Sequence, residues 1–269
     1  MVVLENIFYL YNVQRFDPYL WVKMPYMKLI SVNIESNFHT DLVLAFLKRE
    51  NADVICMQEL LEEDVEMFKK ELGFECIYRP VSYWKNPVQY PTLMGKKQGV
   101  GIFAKNIVTS GSVFYYGKEE NILRPFEEYV NDPQKNYALA WIDTKGNDSL
   151  IYKFVTTHLP VTDKGSVSPF QLEVTDALIS QLDMLGEFVL CGDTNAPRGG
   201  ETFGRLAQKY KDNIPSEYQT SIDQNLHRVK GIQFMVDGLF TTPSYTALNV
   251  KLVDGVSDHM GVVADVIKN

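Results

Sequence analysis

From Met27 onward, short apolar runs alternate with stretches of helical spacing, and run after run ends on an acid, an amide or an imidazole. Lys28–Asn33 reads as a strand, and Leu42, Val43, Phe46 and Leu47 follow at helical intervals. Asp53–Gln58 is a nearly continuous apolar run, the pattern of a strand covered on both faces. Val65, Phe68 and Leu72 mark a second helix, stopped by Gly73. Further strands are expected at Gly99–Ala104, Val108–Phe114, Ala138–Asp143, Leu150–Thr157 and Glu187–Cys191, then at Val236–Thr241, Ala247–Leu252 and Gly261–Val266. Helices are expected at Pro169–Leu185, with Pro169 in the first turn, and around Phe203, Leu206, Ala207 and Tyr210. This mixture of βα alternation and hairpin-like strand pairs implies α/β layers. No repeat, low-complexity tract or Ser/Gly linker divides the chain after Met27. Residues 27–269 therefore read as one domain, and 1–26 as an aromatic-rich N-terminal extension of unassigned role.

Composition narrows the functional classes. The 269 residues are 45% hydrophobic and 22% charged, the profile of a soluble globular chain with a sizeable core. A formal net charge of −8 argues against a protein that coats nucleic acid by charge alone. It leaves room for a small basic cleft or for carboxylates that hold a metal. Cys56, Cys76 and Cys191 are odd in number and form no C-x-x-C, so neither a disulfide framework nor a zinc site is expected. A reducing compartment, the cytoplasm, fits that cysteine usage. No apolar run approaches the ~18 residues that span a bilayer, and the N-terminus lacks a signal-peptide pattern. A monomer with no stable protein partner is expected.

Chemistry-bearing groups cluster at strand ends. Asn33 and Glu35 follow the first strand, Gln58 and Glu59 the next, and His158 ends KFVTTHLP. Asp193 and Asn195 end FVLCGDTN, Asp237 interrupts FMVDGLF, and Asp258 and His259 precede the last strand. Each has a plain alternative: Asp193 and Asn195 suit a turn, His158 suits a bonded core histidine, and Asp258 suits a turn cap. Asp237 is harder to explain so, because an Asp inside an apolar strand needs a partner. Together the groups make the inventory of a hard-metal phosphoesterase, with carboxylates for Mg²⁺ or Mn²⁺ and amide and imidazole donors for phosphate oxygens.

In order, the motifs SVNIES, ADVICMQE, THLP, GDTN, VDGLF and SDH resemble the endonuclease/exonuclease/phosphatase superfamily, over about Met27 to Val266. The resemblance implies a four-layer α-β-β-α sandwich, with two β-sheets face to face and helices outside. It implies Glu59 as a metal ligand, with Asn33 and Glu35 assisting, and His158, Asp193, Asn195, Asp237, Asp258 and His259 as the catalytic set. Glu35 stands where several nucleases of the family carry Asp. The base in the implied hydrolysis is either Asp193 or His259.

The substrate is expected to be a phosphate ester, first a nucleic-acid phosphodiester, with Asn33, Lys96, Lys97 and Arg198 contacting phosphate. A small or lipid-linked phosphate, such as an inositol phosphate or sphingomyelin, is the alternative, and a catalytically silent binding module the third. Candidate substrate-reading loops are 80–98, which holds Tyr83, Trp84 and Tyr90, then 117–136, 163–168 and 213–230.

Overall fold

The computed structural model describes residues 25–85, 90–117, 123–126 and 135–269. Nearly all of the N-terminal extension and most of loop 117–136 lie outside those residues. One sheet has seven strands: β1 (Met27–Asn33), β2 (Val54–Leu61), β3 (Glu75–Trp84), β4 (Lys97–Ala104), β6 (Arg124–Phe126), β12 (Tyr245–Val253) and β13 (Gly261–Lys268). Their spatial order is β12-β13-β1-β2-β4-β3-β6. The second sheet has six: β5 (Ile107–Tyr116), β7 (Tyr137–Lys145), β8 (Ile151–His158), β9 (Val189–Asp193), β10 (Lys211–Asp212) and β11 (Asp237–Thr241). Their order is β10-β11-β9-β8-β7-β5.

Period-two alternation divides the side chains into layers. Leu29 of β1, Cys56 of β2, Phe154 of β8 and Cys191 of β9 share the apolar cluster between the sheets. Their neighbours Ile30, Val32, Ile55 and Met57 point the other way, onto α1 (Thr40–Glu50) and α2 (Val65–Leu72) through Val43, Phe46, Leu47 and Phe68. Val155, Leu190 and Phe240 likewise leave the second sheet outward, onto α3 (Pro169–Leu182) and α4 (Glu201–Lys209). The result is the expected α-β-β-α sandwich. Strands covered on both faces read as nearly continuous apolar runs, which is why β2 and β9 were so legible.

Local signals set the helix boundaries. Ser168 caps α3 by accepting from the Gln171 N–H at 3.0 Å, and Pro169 occupies the first turn. Gly73 ends α2 in the left-handed region at φ 68°, as its sequence position indicated. Three expectations need correction. Leu42 is 43% exposed and lies off the buried face of α1. α3 stops at Leu182, not Leu185. Part of the expected loop 80–98 is strand, because β3 runs through Pro80 to Trp84 with a register shift between Pro80 and Ser82 that accommodates the proline. Among the described residues, no helix is long and apolar enough to cross a membrane.

Candidate active site

Strand register brings the polar ends together. Asn33 pairs with Gln58 across β1 and β2 in the first sheet. In the second, Asp193 lies between His158 on one side and Asp237 on the other. The GD pair of β9 depends on its glycine: a Cβ on Gly192 would stand 2.1 Å from the Thr157 carbonyl oxygen. Gln58 is buried, and its amide donates to Thr156 Oγ1 of the facing sheet at 2.9 Å, so it braces the two sheets.

Glu59 reaches the cleft through an irregularity. The β2–β4 register shifts between Met57 and Leu60, and Glu59 sits there at φ 58°. Glu35 and Asn195 are also left-handed, at φ 48° and 47°. Such conformations cost non-glycine residues energy and collect at functional sites. Asn33 Nδ2 donates to Glu59 Oε1 at 3.2 Å and to Asp193 Oδ2 at 3.0 Å, so one amide spans the two sheets. Its oxygen accepts from the Glu35 N–H at 3.1 Å. Asn33 thus meets Glu59 and Asp193 through its amide nitrogen and the turn after β1 through its oxygen.

On the second sheet, the Asn195 N–H donates to Asp193 Oδ1 at 2.7 Å. His158 Nε2 lies 2.8 Å from Asn195 Nδ2 and 3.4 Å from Asp193 Oδ2. His259 Nδ1 meets Asp237 Oδ2 at 2.8 Å, and its Nε2 lies 3.7 Å from Asp193 Oδ2. The partner required by a buried Asp237 is therefore His259. Burial disfavours the imidazolium, yet Asp237 and Asp193 outweigh it and raise His259 well above the ordinary imidazole pKa. Burial likewise opposes ionisation of Asp193, but His259 and His158 hold its carboxyl below the usual range. One ligand atom from each of Asp193, Asp237 and His259 lies within 4.8 Å of the others, a spacing that can also hold a cation.

A second acidic group surrounds Glu35. Burial and the charges of Asp258 and Glu59 push its carboxyl up, against the pull of Arg228. Arg228 pairs with Glu35 Oε1, and His39 Nε2 lies 2.9 Å from Oε2. Among the described residues, however, the acidic and histidine group spaced to hold a metal is Asp193, Asp237 and His259, not these three carboxylates.

The model of the Endonuclease/Exonuclease/phosphatase family matches residues 11–259. The chain belongs to that family. No curated protein matches it by sequence. Solved structures share its fold at low identity. A family protein from Bacteroides vulgatus is 15% identical, with TM-score 0.69 over 91% of this chain and 99% of the other. The human Nocturnin catalytic domain with bound sulfate is 14% identical, with TM-score 0.69 over 91% and 94%. A mannosyl-6-phosphatase from Bacteroides thetaiotaomicron is 13% identical, with TM-score 0.64 over 90% and 99%. As a member of this family of phosphoester hydrolases, the chain carries the family's fold.

The expected phosphate-binding cations Lys96, Lys97 and Arg198 are each engaged in an ion pair. Lys96 pairs with Glu63 at 2.6 Å and Lys97 with Glu62 at 2.9 Å, on the three-residue turn after β2. Arg198 turns inward: it pairs with Asp212 at 3.0 Å and donates to the carbonyls of Ile214, Pro215 and Tyr218, pinning loop 212–218. Its guanidinium is a structural tie where sequence position suggested a phosphate contact. A small recess, open to solvent, is bounded by Glu59, Trp84, Gln98, Lys135, Tyr137, His158 and Val161. Gln98 donates to Glu59 Oε2 at 3.1 Å and to Ser36 Oγ at 2.9 Å. It was findable, since it is the polar first turn-in of an apolar strand, KQGVGIFA. Nothing in the sequence around Lys135, which is 7% exposed, marked it.

Proposed function

We propose that the chain is a divalent-metal-dependent phosphodiesterase that hydrolyses nucleic acid. The observation that carries the hydrolytic part is the single amide of Asn33 bonded to both Glu59 and Asp193. It ties a metal-side carboxylate to an ionised carboxylate flanked by two imidazoles. Glu59, assisted by Asn33 and Glu35, would hold Mg²⁺ or Mn²⁺, which when bound supplies positive charge at a non-bridging phosphate oxygen. Asp193, kept ionised by His259 and His158, orients the attacking water and accepts its proton. His259 stays charged and presents Nε2 toward the same space, while Asp237 fixes its ring through Nδ1. Asn195, whose amide nitrogen meets His158 Nε2 and the Leu159 carbonyl, holds that imidazole in place beside the phosphate site.

The nucleic-acid part has support from shape rather than charge. Trp84 and Tyr137 line the recess as buried rings, but Tyr90 and the exposed Phe38 extend aromatic surface from Trp84 outward, and exposed flat rings suit bases. A phosphomonoesterase is the second reading, favoured by Lys135: a nearly buried cation beside Glu59 and His158 suits the extra charge of a monoester. A panel of DNA, RNA, nucleotides, sugar phosphates and inositol phosphates, with and without chelator, separates them. Turnover of an oligonucleotide that chelator abolishes is the expected result. Full activity in chelator sinks the metal-dependent reading, and turnover confined to monoesters selects the second.

A further inference from the structure

The aromatic wall of the recess continues outward, beyond any group the hydrolytic chemistry uses. Trp84 lines the recess beside Glu59 and His158. Tyr90 meets Trp84 edge-on, with ring centroids 5.9 Å apart. Phe38 meets Tyr90 at 5.4 Å, tilted by 53°. The Arg228 guanidinium lies 4.3 Å from the Tyr90 ring centre and 5.9 Å from that of Phe38. Phe38 is 44% exposed and the Arg228 side chain 46%. A large apolar ring at that exposure, continuous with a catalytic recess, is not required by the core.

Three further features narrow what the strip takes. Arg228 is already paired with Glu35, so its charge is largely compensated and its exposed asset is a planar face. Phe38 offers a second face and no hydrogen-bonding atom. Sugar hydroxyls need directional donors and acceptors, which Phe38 lacks. The pairing also anchors the strip: Arg228, on the loop between β10 and β11, is held by Glu35 on the turn from β1 to α1.

We propose that Phe38, Tyr90 and Arg228 form a stacking subsite for a nucleobase of the strand whose phosphodiester lies in the recess. This inference depends on the nucleic-acid reading above. Stacking on aromatic rings and guanidinium planes is tolerant of base identity. It also suits a chain of net charge −8, because it recruits the substrate without a basic strip.

The test compares oligodeoxyadenylate with a strand of equal length built from abasic tetrahydrofuran units, both with Mg²⁺. Wild-type protein should prefer the base-bearing strand. Phe38→Ala should lower kcat/KM on oligodeoxyadenylate roughly tenfold, mainly through KM, the scale of one lost stacking contact. It should leave the abasic strand unaffected. Phe38→Trp should keep the preference, and Phe38→Leu, apolar but not flat, should lose it. Equal wild-type turnover of both strands overturns the subsite and leaves the nucleic-acid reading standing. So does an equal effect of Phe38→Ala on the two. Failure to cut either strand, with turnover of a sugar phosphate, overturns the nucleic-acid reading and the subsite with it.

Discussion

Glu59 and Asp193 approach the cleft from opposite sheets and share one donor, the Asn33 amide. Their roles separate on substitution. Glu59→Gln keeps shape and removes the ligand charge, so Mg²⁺ or Mn²⁺ affinity should fall steeply, as titration calorimetry would register. Glu59 is also left-handed at φ 58°, a conformation Asn adopts more readily than Glu. In chelator, Glu59→Asn should relieve about 1 kcal/mol of strain and melt roughly two to four degrees above wild type. A lower melting temperature would show that the contacts of Glu59 with Asn33 and Gln98 outweigh the strain. Asp193→Asn and His259→Ala should each slow turnover by roughly a hundredfold or more. The double variant should lose less than the product, because both groups serve one proton-transfer network. Fully multiplicative losses in steady-state rates would contradict that network.

Elements meet the site through loops, and there sequence and structure part. Strand ends carrying Asn33, His158 and Asp193 were legible because burial on both faces leaves an apolar run that stops at a polar group. β3 was not, since Arg79, Pro80 and Ser82 interrupt its pattern, and most of its residues are only half-buried. Nor were the partners of Lys96, Lys97 and Arg198, because an ion pair is fixed by packing between elements rather than by spacing along them. Trp84 and Tyr90 were marked by composition; Phe38 and Arg228, more than a hundred residues apart, join them only in space. One inter-element tie lies away from the cleft. Glu50, at the end of α1, contacts Lys28 of β1 at 2.9 Å and Lys251 of β12 at 3.3 Å. The hydrogen bond from Lys28 holds the Glu50 carboxyl below its ordinary pKa. A lowered folded-state pKa adds stability above the unfolded value, lost as pH falls through the folded one. Glu50→Gln should therefore destabilise by about 0.5 kcal/mol at pH 7. Its deficit in thermal melting should disappear in acid, once Glu50 of the wild type is protonated. A deficit constant with pH would assign the effect to packing.

At the scale of the whole molecule, neither sheet holds a complete site: one supplies Asn33, Glu59 and Gln98, the other His158, Asp193 and Asp237. What joins them is the shared interior around Leu29, Cys56, Phe154 and Cys191, with the Gln58–Thr156 strut at its rim. Catalysis then becomes a gauge of the seam. In a urea titration, loss of turnover and loss of the near-ultraviolet aromatic signal should follow one curve, as all-or-none unfolding requires. A partly unfolded species that still turns over substrate would mean that one half of the sandwich keeps its partner's groups in place alone. Widening the seam instead of breaking it should be felt first as chemistry. Cys191→Leu adds bulk between the sheets, and strain of that kind typically costs about 1–3 kcal/mol. The chain can absorb that and stay folded, but the distance across which Asn33 must reach cannot stretch without opening its bond to Asp193. Turnover is thus the more sensitive strain gauge, dropping while the melting curve has barely moved.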